Sequence, residues 1–229
     1  MKAADSELIM KSLAGLIFLL CVIGITLFAP YGGFDYNLAW LYLCVFTVSV
    51  ISITVYLFLF DKHLLKSRLA AGPIAETRAT QKIIQSVASL AFLGTFVLSA
   101  YDHKHNWSNV PLLFSYLANL FCVIAFVFLF YVFKQNTYLS ATIEVQQKQK
   151  VISTGLYKIV RHPMYASACI LLLFTPIALG SYYGLLCVLI LIAVIMYRAY
   201  DEEKELKQSL AGYEEYCQKV KYRLVPFVY

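Results

Sequence analysis

Of 229 residues, 61% are hydrophobic and 14% charged, and the mean hydropathy is +0.70, whereas roughly a quarter of a soluble domain is charged. That composition excludes an ordinary soluble globular fold and points to an integral membrane protein. The net charge of +6 is not a nucleic-acid footprint, because the basic residues are distributed by connection, as a membrane topology distributes them.

The apolar residues fall into six runs: Leu8 to Ala29, Ala39 to Phe60, Ile83 to Ala100, Val110 to Phe133, Ala166 to Leu179 and Tyr183 to Tyr200. The first four approach or exceed the ~20 residues a helix needs to cross the hydrocarbon. Only Gly180, Ser181 and neighbouring tyrosines separate the last two, which therefore read as a tight helical hairpin whose first arm starts at Pro163. If the runs alternate in direction, every one of the 19 Lys and Arg residues except Lys104 lies on one side, cytoplasmic by the positive-inside rule. Both termini share that side. The first run is too long for a cleaved signal peptide and has no small-residue cleavage pattern after it, so it is expected to remain a membrane helix. Tyr31, Tyr36, Trp40, Tyr101 and Trp107 gather at the opposite boundary, where aromatic belts sit. The expected fold is therefore an all-α polytopic membrane protein with six transmembrane helices, ending in a helical hairpin and a cytoplasmic amphipathic helix. Four spans make up residues 1–134, and the chemistry falls in residues 135–229.

Several function classes drop out. The first four spans carry no Asp, Glu, Lys, Arg or His in their interiors apart from Lys11 near an edge, so the intramembrane charges of pumps and proton relays are missing. The six cysteines show neither disulfide nor metal-ligand spacing, and no metal is expected. Asn106-Trp107-Ser108 matches a glycosylation triplet, a pattern that chance produces often.

Polar residues concentrate after residue 134. From Thr137 to Val151 a polar segment interleaves Tyr138, Ile143 and Val145, and leads through Ser153-Thr154-Gly155 into Leu156-Tyr157-Lys158-Ile159-Val160-Arg161-His162-Pro163-Met164-Tyr165. Pro163 suits the first turn of a helix, and His162 then falls at its cap beside Arg161, with the positive end of the helix dipole at the membrane surface. That arrangement suits an anion. Gly155 permits close approach of a ligand or a second stretch of chain. Beyond the sixth run, Arg198 and Glu202 stand four residues apart on one helix face, either a surface ion pair or a site pair. Leu206, Leu210, Tyr213, Tyr216 and Val220 then form the apolar face of an amphipathic helix that lies on the membrane or caps the preceding loop.

From about Tyr138 to Tyr229 the chain resembles the C-terminal catalytic region of the isoprenylcysteine carboxyl methyltransferase and phospholipid methyltransferase superfamily. The matching elements are Gly155-Leu156-Tyr157, Arg161-His162-Pro163-Met164-Tyr165, Glu202-Glu203, Gly212-Tyr213-Glu214-Glu215-Tyr216 and Tyr222-Arg223-Leu224-Val225-Pro226. The resemblance implies a cytoplasmic S-adenosylmethionine site built from the loop before the hairpin and the helix after it. Gln149, Val151, Ile152, Gly155, Tyr157, His162, Pro163, Tyr165, Glu202 and Glu203 are its expected cofactor residues. Arg198 is expected to face the acceptor and His162 to take part in catalysis. A further polar contact is expected from Thr142, Glu144 or Gln146.

The cofactor has a sulfonium, an ammonium and a carboxylate, which call for aromatic faces, acidic groups and a helix N-terminus. The expected acceptor is lipophilic and enters from the bilayer; a carboxylate of isoprenylcysteine type leads, with a phospholipid amine or a small thiol as alternatives. Membrane lipids are the other expected contacts, with no nucleic acid and no obligate protein partner. The ending also resembles that of membrane sterol reductases, which use a nicotinamide cofactor, but Met164 and Ala166-Ser167-Ala168 depart from their pattern. A membrane scaffold without chemistry is the third possibility.

Overall fold

The computed structural model describes residues 3–69, 79–141 and 149–229. These form eight α-helices and one 3-10 turn, with no strand among the described residues. In chain order they are α1 (Ala3–Tyr31), α2 (Asn37–Phe60), α3 (Lys62–Leu69), α4 (Ala79–His105), α5 (Leu112–Gln135), the turn Gly155–Lys158, α6 (Pro163–Ala178), α7 (Leu185–Ser209) and α8 (Tyr213–Lys219). Each of the six apolar runs lies on one of the longer helices. By length and composition α1, α2, α4 and α5 are each able to cross a membrane, and α6 is a shorter apolar helix of 16 residues.

Side chains follow the demands of lipid. Phe18, Val55, Leu90, Leu113 and Leu189 are exposed on the outer surface of the helices, as expected where the surroundings are hydrocarbon. Inside, Ile23, Leu27, Tyr42, Phe96 and Phe126 form a common core with Leu179 at the end of the first hairpin arm. Buried hydroxyls find partners within it. Tyr42 Oη and Thr175 Oγ1 lie 3.1 Å apart, Tyr36 Oη donates to the Leu179 carbonyl, and Ser115 Oγ donates to the Ile177 carbonyl at 2.9 Å. Each bond joins an earlier helix to the α6 arm, so the hairpin is fixed by polar contacts as well as by packing.

At the end of the bundle remote from Pro163, α4 runs past its apolar stretch to His105 and buries Asp102 completely. The Asp102 carboxylate accepts from Ser108 N and Ser108 Oγ, both at 2.6 Å, from Ser181 Oγ and from Tyr183 N at 3.2 Å. It thus ties α4 to the turn between α6 and α7. The sequence reading passes over this residue because it falls two positions beyond the apolar run. Ser108, the third residue of the glycosylation triplet, is held by the same carboxylate.

One expectation is revised at the other end. Leu206, Leu210, Tyr213, Tyr216 and Val220 are buried together against Tyr157 and Val132, capping the loop before α6. They do not share one continuous helix. α7 extends unbroken to Ser209, and Gly212, with φ +81°, turns the chain into the short α8. A residue with a side chain is strained in that left-handed conformation, so this glycine sets the break.

The Asp102 tie is open to test. Asp102→Ala removes the acceptor for two serine hydroxyls and two backbone N–H groups, an expected loss of about 3 kcal/mol. Thermal melting in detergent should show a clear drop, whereas Lys104→Ala near the same end should leave the melting temperature nearly unchanged.

Candidate active site

Where α5, α6 and α7 end at one face of the bundle, a cleft opens between them, the loop before α6 and α8. Its walls include Gln149, Val151, Ile152, Tyr157, His162, Pro163, Tyr165, Arg198 and Glu202. Nine of the expected positions, spread over more than fifty residues of sequence, thus meet in one place. Asn136, Tyr138, Met164, Leu206, Tyr213 and Tyr216 complete much of the lining. Thr142, Glu144 and Gln146 lie outside the described residues.

The approach to α6 is held by the tail of the chain. Arg161 N and His162 N donate to the carbonyls of Tyr222 and Arg223, each at 2.9 Å, and the Arg161 guanidinium donates to the carbonyls of Val220 and Lys221. This pairing accounts for the Tyr222 to Pro226 segment of the motif set. His162 is the N-cap residue, its side chain makes no capping bond, and Pro163 occupies the first turn. The N–H groups of that first turn therefore point toward the cleft end of the helix, where an anionic group is favoured.

Behind His162 sits a charge cluster centred on Glu203, only 3% exposed. Arg161 Nε donates to its Oε1 at 2.7 Å, His162 Nε2 lies 3.2 Å from the same oxygen, and Arg223 Nε donates to Oε2 at 3.0 Å. Burial pushes the Glu203 carboxyl upward, but hydrogen bonds from His162, Arg161 and Arg223 outweigh it and hold the group at about 2. Glu203, an expected cofactor residue, is therefore not part of the cleft lining; it anchors the residues that are. Gly155 also lies outside the lining. Its φ is +58°, and its open side faces the amide of Gln135, whose Oε1 accepts from Leu156 N at 3.0 Å. A Cβ there would collide with that amide, so the close approach allowed by this glycine is made by the protein itself.

Glu202 and Arg198 do share a face of α7, with the Tyr165 hydroxyl between them. Tyr165 Oη donates to Glu202 Oε2 at 2.6 Å and accepts from Arg198 Nε at 3.2 Å. Arg198 also donates through Nη2 to the Ala141 carbonyl at 2.7 Å and through Nη1 to Gln81 Oε1 at 3.4 Å. Gln81 is fully buried near the start of α4, and its Nε2 donates to Asp201 Oδ2. One amide thus fixes Arg198 and braces the neighbouring acid. Arg68 of α3 donates to the Ser140 carbonyl at 3.1 Å, so two arginines from distant helices hold successive carbonyls of the loop. Sequence reasoning missed Gln81 and used Arg68 only for topology. A single glutamine outside any motif gives no signal of what it faces.

The aromatic wall is anchored in the same way. Asn136 Nδ2 donates to Tyr157 Oη at 3.0 Å, and Tyr216 Oη donates to the Tyr157 carbonyl at 2.7 Å. The His162 and Tyr165 rings stack with centroids 5.5 Å apart. Carboxylate, guanidinium, tyrosine faces and helix N-terminal amides therefore line one cleft.

Comparison with known proteins bears on the class. Residues 113–211 match the phospholipid methyltransferase family model. The phospholipid methyltransferase match begins within α5 and ends just before α8, so it takes in both hairpin arms and the cleft segment between them. It supports a membrane methyltransferase. The chain is also similar to a Delta(14)-sterol reductase from Mus musculus, 32% identical over 91 residues. That similarity covers 38% of this chain and 22% of the reductase, so the chain spans about a fifth of the length of that curated relative.

Glu203 gives a pH test. A carboxyl held near 2 against an ordinary 4.5 contributes stability that is present above about 4.5 and is lost as pH falls toward 2. The contribution is about 3 kcal/mol. Denaturation curves across that acid range should show the wild type losing stability steeply. Glu203→Gln should be less stable at neutral pH, because it leaves two partly buried guanidinium groups without their counter-charge, and should respond far less to acid.

Proposed function

We propose that this protein is an integral membrane S-adenosylmethionine-dependent methyltransferase acting on a lipophilic acceptor, a carboxylate of isoprenylcysteine type, that enters from the bilayer. The observation that carries the reading is the cleft wall on which Glu202 and Arg198 meet across the Tyr165 hydroxyl. The residues present fit the cofactor. Glu202 suits its ammonium, the Tyr157 and Tyr165 rings suit its sulfonium, and the first-turn amides after Pro163 suit its carboxylate. Gln149, Val151 and Ile152 supply further lining beside Tyr157.

S-Adenosylmethionine supplies a methyl group activated on sulfur, whose transfer is an in-line displacement. The protein's task is then largely to hold and align, and well-oriented reactants alone account for a large part of such accelerations. A carboxylate acceptor is ionised at neutral pH, so no base is needed. Arg198, gripped by Gln81 and the Ala141 carbonyl, presents a fixed guanidinium suited to a planar two-oxygen group. A phospholipid amine as acceptor has to lose a proton first, and His162 beside Glu203, or a glutamate of the cleft, is the base for that case. The cleft lies at the end of the bundle where nearly all basic residues collect, which supports a cytoplasmic site and cytoplasmic termini. Nucleic acid and an obligate protein partner have no part in this reading.

The sterol reductase similarity favours a second reading with a nicotinamide cofactor, and one experiment separates the two. Purified protein is titrated calorimetrically with S-adenosylmethionine and with NADPH, then assayed for radiolabelled methyl transfer to prenylcysteine analogues and to total lipid. The expected result is binding of S-adenosylmethionine alone and label in the prenylcysteine fraction. Label in lipid amines would move the acceptor to phospholipid, and NADPH binding alone would overturn the methyltransferase reading. Glu202→Gln should weaken cofactor binding about ten- to hundredfold, since a charge-assisted hydrogen bond is lost. Arg198→Lys should retain cofactor affinity and slow transfer, because lysine keeps the charge without the planar fork.

A further inference from the structure

Tyr213 opens α8 immediately after the Gly212 turn, and its side chain forms part of the cleft wall. It is 5% exposed, and among the described residues its hydroxyl has no oxygen or nitrogen partner, with only the Cys217 thiol acting on it. Its neighbours differ: the hydroxyls of Tyr157, Tyr165 and Tyr216 are all engaged, with Asn136, with Glu202 and Arg198, and with the Tyr157 carbonyl. A buried hydroxyl left unpaired is costly, and such groups in folded proteins call for a specific reason. Cys217, one turn further on, acts on the phenol, but a thiol is a weak partner. Burial first, and then the nearby Glu203, Cys217 and Glu202, push the phenol well above its ordinary range. The hydroxyl therefore stays protonated and can both donate and accept.

We infer that the Tyr213 hydroxyl is a ligand for the amino-acid end of S-adenosylmethionine, completed when that end enters the cleft beside Glu202. The inference rests on the cofactor reading above. It gives α8 a binding role in addition to its packing role. The ammonium offers a donor and the carboxylate an acceptor, and the hydroxyl matches either. An apolar occupant would leave the group unpaired.

The test uses Tyr213→Phe, which removes one oxygen and keeps the ring. Ligand-free variant should melt at the same temperature as wild type or higher, because an unpaired polar atom has gone. Its affinity for S-adenosylmethionine should nevertheless fall, by about tenfold for one lost hydrogen bond. Methylthioadenosine, which lacks the amino-acid end, should bind both proteins equally. Equal affinity of wild type and variant for S-adenosylmethionine would overturn the inference and leave the cofactor reading intact. Weaker methylthioadenosine binding by the variant would overturn the assignment to the amino-acid end. Failure of wild type itself to bind S-adenosylmethionine would overturn both.

Discussion

A single buried carboxylate holds the working end of this molecule together. Glu203 draws Arg161 and His162 from the start of α6 and Arg223 from the tail onto the end of α7. An unpaired charge there would be strongly unfavourable, so the three basic groups and the acid are each a condition for burying the others. Once they are in place, the backbone pairing of Arg161 and His162 with Tyr222 and Arg223 follows, and His162, Pro163 and Tyr165 are aimed into the cleft. The cleft-facing acid, Glu202, is the adjacent residue. Two neighbouring glutamates thus divide the work, one facing inward to the scaffold and the other toward the cleft.

The same division runs through the bundle. Most of the helical surface is apolar and meets lipid, where packing offers little discrimination between alternative arrangements. Buried polar contacts therefore specify the arrangement: Asp102 at one end, Tyr42 with Thr175 in the middle, and Gln81 with Arg198 and Asp201 near the cleft. They also tie the first half of the chain to the cleft. Arg68 and Gln81 come from that half of the chain, and both brace groups next to the cleft.

Much of this was legible in the sequence, for identifiable reasons. Apolar helices announce themselves by hydropathy, so the six runs fall on the six longer helices, four of which are long and apolar enough to cross a membrane. Arg161 to Tyr165 stand out as polar residues beside an apolar run and Arg198 with Glu202 by their spacing, whereas Tyr157 is singled out by the family resemblance. What stayed hidden depended on contacts between distant residues. Gln81 stands two positions before an apolar run, Asp102 two positions after one, and Asn136 at a helix end; none belongs to a motif, and only the fold shows what each meets. Glu203 looked equivalent to Glu202, yet a rotation of one residue along α7 sends it to the other side. Gly155 left room for a ligand or for another stretch of chain, and only the fold shows that Gln135 takes it. The apolar spacing from Leu206 to Val220 correctly marked one buried face, but spacing alone did not show that Gly212 divides it between two helices.

The Tyr165 hydroxyl couples the two ends of the cleft. It donates to Glu202 and accepts from Arg198, so one oxygen links the group proposed for the cofactor to the group proposed for the acceptor. A ligand cation that draws on Glu202 competes with the tyrosine proton, and a ligand anion that draws on Arg198 competes with the tyrosine oxygen. Binding at either end therefore alters the other, and thermodynamic linkage requires the two effects to be equal. Occupancy of the cleft is in this sense a property of the pair of ligands.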